Sequence, residues 1–296
     1  MRLSHWLCLP AAVLAAAAPL TSQTAVDWKA VDAALGRAGA MQPGNVYKYG
    51  FPRGDLAVTV GAVRVKPALA LGSWVAFVPA GAGAVVMGDL VLREAEVAPV
   101  MAKLTERGID VTALHHHLLH ESPRVYYMHI HGAGDPVALA QGIHAALALT
   151  GTPKAAPAPA APAPLALDTA RIAATLGHAG KVNGGVYQVG VARPDTIREG
   201  EMVIPPAMGV ATSLNFQPVA GGKAAVTGDF VLHADEVPGV LRALETRGIT
   251  VTAVHSHMLA ETPRLLFMHF WGVDEPSRLA AALRAGLDLI GAPVRP

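Results

Sequence analysis

The 296-residue sequence carries 23 Lys and Arg residues against 22 Asp and Glu residues, which gives a formal net charge of +1. This balance lacks the basic footprint of a nucleic-acid-binding protein, and we expect no nucleic-acid partner. Hydrophobic residues make up 52% of the chain, so a chain of this length can fill the cores of two domains of ordinary size.

The first 25 residues have the pattern of a secretory signal peptide. Arg2 supplies a positive charge, residues 6–20 are apolar and rich in alanine, and small or polar residues follow. This apolar segment is too short for a membrane-spanning helix. We therefore predict a periplasmic or secreted protein with no membrane span after cleavage. The only cysteine, Cys8, lies inside this segment, so the mature chain has no thiolate for metal binding or catalysis.

The rest of the sequence is a duplication. Residues 109–132 read IDVTALHHHLLHESPRVYYMHIHG, and residues 249–272 read ITVTAVHSHMLAETPRLLFMHFWG, an alignment without a gap at an offset of 140 residues. Residues 153–164 read PKAAPAPAAPAP, a composition typical of an extended linker. We predict a first repeat at 26–152, a linker at 153–165 and a second repeat at 166–296, with the two repeats packed on each other.

The predicted elements follow the same order in both repeats. A short helix opens each one, at 28–38 and at 168–177. In the first repeat β-rich segments follow at 46–49, 57–65 and 74–78, then a strand at 85–92, a helix at 94–107, strands at 111–119 and 124–131, and a helix that begins at Pro136. This C-terminal β-α-β-β-α unit predicts an α+β fold with a mainly antiparallel sheet and helices on one face.

The two strands at 111–119 and 124–131 carry the candidate site. Because strand side chains alternate between faces, His115 and His117 share a face. A slip of one residue would move His129 to the opposite side. We expect the apolar faces of both strands to pack on the helices, which sets the register and unites His115, His117 and His129. The same reasoning unites His255, His257 and His269 in the second repeat.

Three converging imidazoles predict a divalent-metal site in each repeat, with zinc as the first choice and manganese, iron or copper as alternatives. Glu121 and Glu261 are candidates for a fourth ligand, for a residue that orients a ligand, or for a general base. Arg124 and Arg264 could bind a substrate carboxylate, or could simply pair with the neighbouring glutamate.

Other features shared by the repeats have structural interpretations. Gly88-Asp89 and Gly228-Asp229 predict a bulge or a strand crossing, with a functional role for the aspartates as the alternative. Glu96 and Glu236 lie in the first turn of a helix, which favours a helix-capping role. Histidines that occur only in the first repeat fall outside the shared site: His116, His120 and His131.

The residues GDLVL at 88–92, the segment VTALHHHLL at 111–119 and GDPVALA at 134–140 resemble the LppY/LpqO family, a secreted bacterial group with a domain of unknown function. The resemblance covers nearly the whole mature chain, and duplication and a signal sequence also fit it. It implies a location and a fold, but no activity.

Three functional hypotheses follow from the sequence. The first is a metalloenzyme, such as a hydrolase or lyase that uses metal-activated water on an unknown small-molecule substrate. The second is a metal-binding or ligand-binding protein of the cell envelope without catalysis. The third is a structural module whose histidine faces pack together between the repeats, buried and without a cavity.

Overall fold

In the computed structural model, which describes residues 26–154 and 164–291, each repeat builds one six-stranded antiparallel sheet. The predicted signal segment and most of the predicted linker lie outside the described residues. The first repeat contains α1 (Trp28–Leu35), β1 (Ala40–Gln42), β2 (Val46–Pro52), β3 (Thr59–Val60), β4 (Val63–Arg64), α2 (Pro67–Ala70), β5 (Gly72–Ala80), β6 (Gly83–Arg93), α3 (Glu94–Glu106), β7 (Asp110–His115), β8 (Glu121–Ser122), β9 (Val125–Gly134) and α4 (Pro136–Leu147).

The second repeat has the same order of elements, with 3-10 helices at Pro206–Met208 and Ala220–Gly222. It contains α5 (Thr169–Leu176), β10 (Lys181–Asn183), β11 (Val186–Ala192), β12 (Arg198–Glu199), β13 (Met202–Val203), β14 (Ala211–Pro218), β15 (Ala224–Leu232), α6 (Val237–Glu245), β16 (Thr250–His255), β17 (Glu261–Thr262), β18 (Leu266–Asp274) and α7 (Pro276–Leu287). The predicted α+β class is confirmed. Within the described ranges no helix is both long and apolar enough to cross a membrane.

The strand order is β1-β2-β5-β6-β9-β7 in the first sheet and β10-β11-β14-β15-β18-β16 in the second. One face of each sheet packs on helices. In the first repeat Leu90 and Ile130 belong to the same buried core as Leu104 of α3 and Ile143 of α4. The predicted start of α4 is confirmed, since the carboxylate of Asp135 accepts a 2.8 Å hydrogen bond from the backbone N–H of Ala138.

Two predicted strands are shorter than the sequence pattern suggested. The segment 57–65 divides into β3 and β4, because Gly61 has a φ of 57° and allows a tight turn there. The strand predicted at 111–119 ends at His115, and the chain then turns through His120, whose φ is 59°. Apolar residues continue past the points where both strands end, so hydrophobicity alone did not reveal the turns.

An arm extends from each sheet between its second and third strands, β2 and β5 in the first repeat and β11 and β14 in the second. The first arm (residues 53–71) carries β3, β4 and α2, and α2 packs against β14 and β15 of the second repeat. The second arm (residues 193–210) carries β12, β13 and the 3-10 helix Pro206–Met208, which packs against β5 of the first repeat. Each repeat therefore packs its arm against the sheet of the other repeat.

Polar contacts at equivalent places fasten the arms. Lys48 Nζ donates to the carbonyl of Ala207 at 3.1 Å, and the Gln188 side-chain amide donates to the carbonyl of Ala68 at 2.8 Å. Buried apolar residues of both repeats also mix beneath the arms, as where Met87 joins Met208 in one core cluster. The faces of the two sheets that carry no helices are consequently turned toward each other.

A buried arginine anchors the base of each arm. Arg53 is fully buried and donates to Glu96 Oε2 at 2.8 Å, to Asp55 Oδ2 at 2.8 Å and to the carbonyl of Val91 at 2.6 Å. Arg193 donates to Glu236 Oε2 at 2.7 Å in the same way. Glu96 Oε2 also accepts a hydrogen bond from the backbone N–H of Arg93, which confirms its predicted capping role.

Candidate metal centre between the repeats

The pairing of β7 with β9 places His115 and His129 on one face, and His117 follows just after β7. Ala113 lies opposite His129 and His115 lies opposite Tyr127, so His129 and His115 point to the same side of the sheet. Met128 and Ile130 point to the other side, into the core beneath the helices. The predicted register is confirmed. The pairing of β16 with β18 repeats it, with Ala253 opposite His269 and His255 opposite Phe267.

The two histidine faces meet each other across the pseudo-twofold axis. The rings of His115 and His255 stack with centroids 3.7 Å apart. His117 faces His269 at 3.7 Å, and His257 faces His129 at 3.7 Å. Instead of one separate site in each repeat, as the sequence suggested, the structure forms a single histidine cluster of His115, His117, His129, His255, His257 and His269.

The cluster is held by reciprocal hydrogen bonds and by aromatic rings. Thr112 Oγ1 donates to the backbone carbonyl of His257 at 2.6 Å, and Thr252 Oγ1 donates to that of His117 at 2.7 Å. Tyr127 stacks on His117 with centroids 3.4 Å apart, and Phe267 stacks on His257 at the same distance. These contacts fix the orientation of His117 and His257 from both the backbone and the ring face.

Two aspartates complete the cluster. Asp89 Oδ2 lies 3.4 Å from His117 Nε2, and Asp229 Oδ2 lies 3.2 Å from His257 Nε2. The bulge or strand crossing predicted for these positions is wrong, since Gly88 and Asp89 pair regularly with Val75 and Trp74. Gly88 is needed for close packing instead, because a Cβ there would lie 2.7 Å from the carbonyl oxygen of Trp74.

Backbone hydrogen bonds set the tautomers of two cluster histidines. His269 Nδ1 lies 2.9 Å from the carbonyl oxygen of Gly228, to which only a protonated nitrogen can donate. His129 makes the equivalent hydrogen bond with the backbone of Gly88. The Nε2 atoms of both rings are therefore unprotonated, the arrangement typical of metal-binding histidines; that of His129 has no partner, and that of His269 lies 3.1 Å from His115 Nε2.

Burial keeps three imidazoles of the cluster neutral. Burial lowers the pKa of His117, His129 and His257 well below the usual value, and neighbouring imidazoles lower it further. Burial, with the proximity of Asp229, raises the pKa of Asp89 to about 8, and burial raises the pKa of Asp229 to about 6. Neutral imidazoles are the form that binds metal, and a cation would favour ionised aspartates.

Unpaired polar atoms concentrate in this cluster. Within residues 26–154 and 164–291, eight buried side-chain nitrogen and oxygen atoms lack a hydrogen-bond partner. All eight belong to His115, His117, His129, His255, His257, Asp89 and Asp229. Buried polar groups in folded proteins are nearly always paired, because an unpaired one costs about 1–3 kcal/mol. The unprotonated nitrogens and carboxylate oxygens of this set are atoms that a metal ion could bind.

Four groups of three residues have ligand atoms close enough to share one ion, within 4.8 Å of one another. The groups are His115/His129/His255, His115/His117/His269, His255/His257/His269 and Asp89/His117/His129. Two of the groups combine residues of both repeats, and two lie within one repeat. His-rich sites of this kind suit transition metals.

The predicted glutamates and arginines lie outside these groups. Glu121 is buried in β8, where its Oε1 is 3.5 Å from the backbone N–H of Val125, and Glu261 Oε1 accepts from that of Leu265 at 3.0 Å. The exposed Arg264 pairs with Glu261 at 3.3 Å, and Arg124 lies 4.0 Å from Glu121. This placement agrees with the alternative that the arginines pair with neighbouring glutamates.

Histidines found only in the first repeat also lie outside the four groups. His131 Nε2 pairs with Glu199 Oε2 of the second arm at 2.9 Å, and His116 Nδ1 lies 3.1 Å from the carbonyl oxygen of Val125. Two surface pockets of the second repeat are lined by residues such as Arg193, Ile204 and Arg284, without any cluster histidine.

Comparison with known protein families identifies the family of this chain. The family described as Domain of Unknown Function (DUF1259) matches residues 29–149 and again residues 170–289. The chain belongs to this family. The two matches coincide with the two sheets, so each repeat is one copy of the family's domain. None of the curated proteins compared with the chain matches it.

Two solved structures are similar to the chain at low identity. A trimeric bacterial microcompartment shell protein, PduB, shares 16% identity over 86% of this chain and 90% of its own, with a TM-score of 0.23. EtuB from Clostridium kluyveri shares 10% identity over 84% of this chain and 90% of its own, with a TM-score of 0.20. At these TM-scores the likeness supports no conclusion about fold or function.

The aspartates are the residues that sequence reasoning ranked too low. Both lie in a Gly-Asp pair at the same position of the two repeats, and each pairs across the sheet with a cluster histidine: Asp89 with His129 and Asp229 with His269. The available signal was a carboxylate inside an otherwise apolar central strand, where an unpaired charge is costly.

Proposed function

We propose that this protein is a periplasmic or secreted metal-binding protein of the LppY/LpqO type, which holds a divalent transition metal between its two repeats. Zinc is the first choice, with manganese, iron or copper as alternatives. The ligands come from the histidine cluster together with Asp89 and Asp229. Imidazole-rich ligand sets favour such metals over Mg²⁺ and Ca²⁺, which prefer oxygen.

The observation that carries the proposal is the set of eight unpaired buried atoms in the cluster. A purely structural interface would satisfy its histidines through hydrogen bonds, because each unpaired group costs free energy. Metal coordination satisfies several of these atoms at once. The Nδ1–H tautomer that the backbone sets at His269 and His129 leaves Nε2 unprotonated and supports the same conclusion.

Binding without catalysis fits the geometry better than hydrolysis or lyase chemistry. A catalytic metal needs an open position that water and substrate can reach. His129, His257 and His269 are only 4%, 7% and 3% exposed, and rings of the opposite repeat cover them. The carboxylates of Glu121 and Glu261, the candidate general bases, face backbone N–H groups instead.

The test is the metal content of the purified protein after equilibration with zinc and removal of unbound metal. Every one of the four candidate groups contains His129 or His269, so His129→Ala/His269→Ala removes a ligand from all of them. We expect zinc in the wild-type protein and a loss of at least tenfold in the double variant. His116→Ala/His120→Ala removes as many histidines outside the cluster and should retain the metal. Wild-type protein without zinc, iron, copper or manganese after equilibration with each would overturn the proposal in favour of a structural interface.

A further inference from the structure

We propose that the cluster holds two metal ions at the same time, one in each repeat, and that the two sites are chemically different. This inference rests on the proposed function and adds the number and the ligands of the ions. It follows from which candidate groups exclude one another.

Most pairs of candidate groups compete for a residue. Two groups, called mixed groups here, combine residues of both repeats: His115/His129/His255 and His115/His117/His269. They share His115, so only one of them can be filled at a time. Each mixed group also shares one histidine with the second-repeat group, either His255 or His269. It shares another with the first-repeat group, either His129 or His117. A metal in a mixed group therefore blocks every other group of three.

One pair of groups has no residue in common. Asp89/His117/His129 lies within the first repeat, and His255/His257/His269 lies within the second. Filling these two groups uses six side chains and leaves only His115 and Asp229 over. Of the eight unpaired atoms, six belong to residues of these two groups: one each on Asp89, His117, His129 and His257, and two on His255. Two ions thus satisfy more of the unpaired atoms than one ion in a mixed group would.

The two sites differ in chemistry. The first-repeat site offers two imidazoles and one carboxylate, a set that binds Fe(II) and zinc in other proteins. The second-repeat site offers three imidazoles and no carboxylate, a neutral set that suits zinc or copper. The duplication has therefore produced two sites that need not bind the same metal, although their histidines are equivalent in sequence.

His115 and Asp229 have distinct positions beside the second site. His115 Nε2 lies 3.1 Å from His269 Nε2, and Asp229 Oδ2 lies 3.2 Å from His257 Nε2. Neither residue belongs to either of the two disjoint groups. The loss of His115 should therefore spare both ions, whereas a mixed centre would depend on it.

The experiment is a zinc titration of the full-length mature protein by equilibrium dialysis, with metal counted per chain. We expect two zinc ions in the wild-type protein and two in His115→Ala. We expect one in Asp89→Asn, which affects only the first-repeat site, and one in His257→Gln, which affects only the second-repeat site. The Asp89→Asn/His115→Ala/His257→Gln triple variant, which lacks a ligand of each of the four groups, should bind none with comparable affinity.

The outcomes separate this inference from the proposed function. One zinc per wild-type chain, lost in His115→Ala, would show a single mixed centre and overturn the two-ion inference while leaving metal binding intact. One zinc that persists in Asp89→Asn but not in His257→Gln would overturn it in favour of a second-repeat site alone, and the converse pattern in favour of a first-repeat site alone. No zinc in the wild type, with other metals equally absent, would end both proposals. Circular dichroism of each variant identifies any that fails to fold, and the conservative pair Asp89→Glu and His257→Asn then replaces it.

Discussion

The hydroxyl of Thr112 donates a 2.6 Å hydrogen bond to the backbone carbonyl of His257, a cluster residue of the other repeat. Thr252 returns the contact to His117 at 2.7 Å. Each edge strand, β7 or β16, thereby holds the loop that carries a cluster histidine of the opposite sheet. The backbone positions of His117 and His257 depend on contacts that neither repeat can make alone.

Replacing these threonines should loosen the interface. Thr112→Val keeps the shape of the side chain but removes the donor, and it should lower the free energy of unfolding by about 1 kcal/mol. Thr112→Val/Thr252→Val should cost about 2 kcal/mol, since the two contacts are separate. Chemical denaturation measures both values. Thr105→Val is the control, because Thr105 is exposed and its hydroxyl bonds only within α3. An unchanged stability in the double variant would show that the repeats do not depend on these contacts.

Metal should stabilise the fold, since it binds only the folded arrangement of ligands. At a free concentration 100 times the dissociation constant, one bound ion adds about 2.7 kcal/mol. For a chain of this size that corresponds to a rise of roughly 5–10 °C in the melting temperature. Thermal denaturation with zinc and after chelation measures the difference. His129→Ala/His269→Ala should melt at the same temperature in both conditions, and a zinc-dependent rise in this variant would point to binding elsewhere.

Glu121 and Glu261 should contribute to the stability of the fold and not to metal binding. Glu261→Ala removes the acceptor for the backbone N–H of Leu265 and should cost about 1–3 kcal/mol. Glu261→Gln keeps an acceptor oxygen and should cost less. Both variants should retain the wild-type metal content. Loss of metal from a folded Glu261→Ala protein would instead restore the glutamate as a ligand or as a residue that orients one.

The Arg53–Glu96 pair should make the free energy of unfolding depend on pH in the acidic range. Burial alone would raise the pKa of Glu96, but hydrogen bonds from Arg53 and from the backbone of Arg93 and Gly151 lower it to about 2. Because the pKa of Glu96 is lower in the folded state, its stabilising contribution to the free energy of unfolding is complete above the unfolded pKa of 4.5. This contribution is lost as the pH falls from there toward 2.

Glu96→Gln tests this dependence. The variant leaves Arg53 buried with Asp55 as its remaining carboxylate partner and should lose about 1.5–3 kcal/mol at pH 7. Its stability should then fall less steeply than that of the wild type between pH 4.5 and 2. Glu94→Gln, an exposed position in the first turn of the same helix, is the control and should follow the wild-type curve. Parallel curves for Glu96→Gln and the wild type would contradict the role of this pair.

The sequence by itself determined the duplication, the α+β class and the shared face of three histidines in each repeat. These features depend on local rules: an offset of 140 residues between the copies, alternation along a strand, and an apolar face that must lie under helices. The correct placement of His129 beside His115 followed from these rules alone.

Only the tertiary structure decided that the two histidine faces form one cluster, that Asp89 and Asp229 join it, and that Glu121 and Glu261 do not. The approach of the two sheets depends on the arms that each repeat lays across the other, contacts between residues more than 100 positions apart. Strand alternation describes one sheet and carries no information about which surface will cover it. The chemistry of the candidate centre therefore arises from the packing of the repeats, while its histidines are positioned by each repeat's own strands.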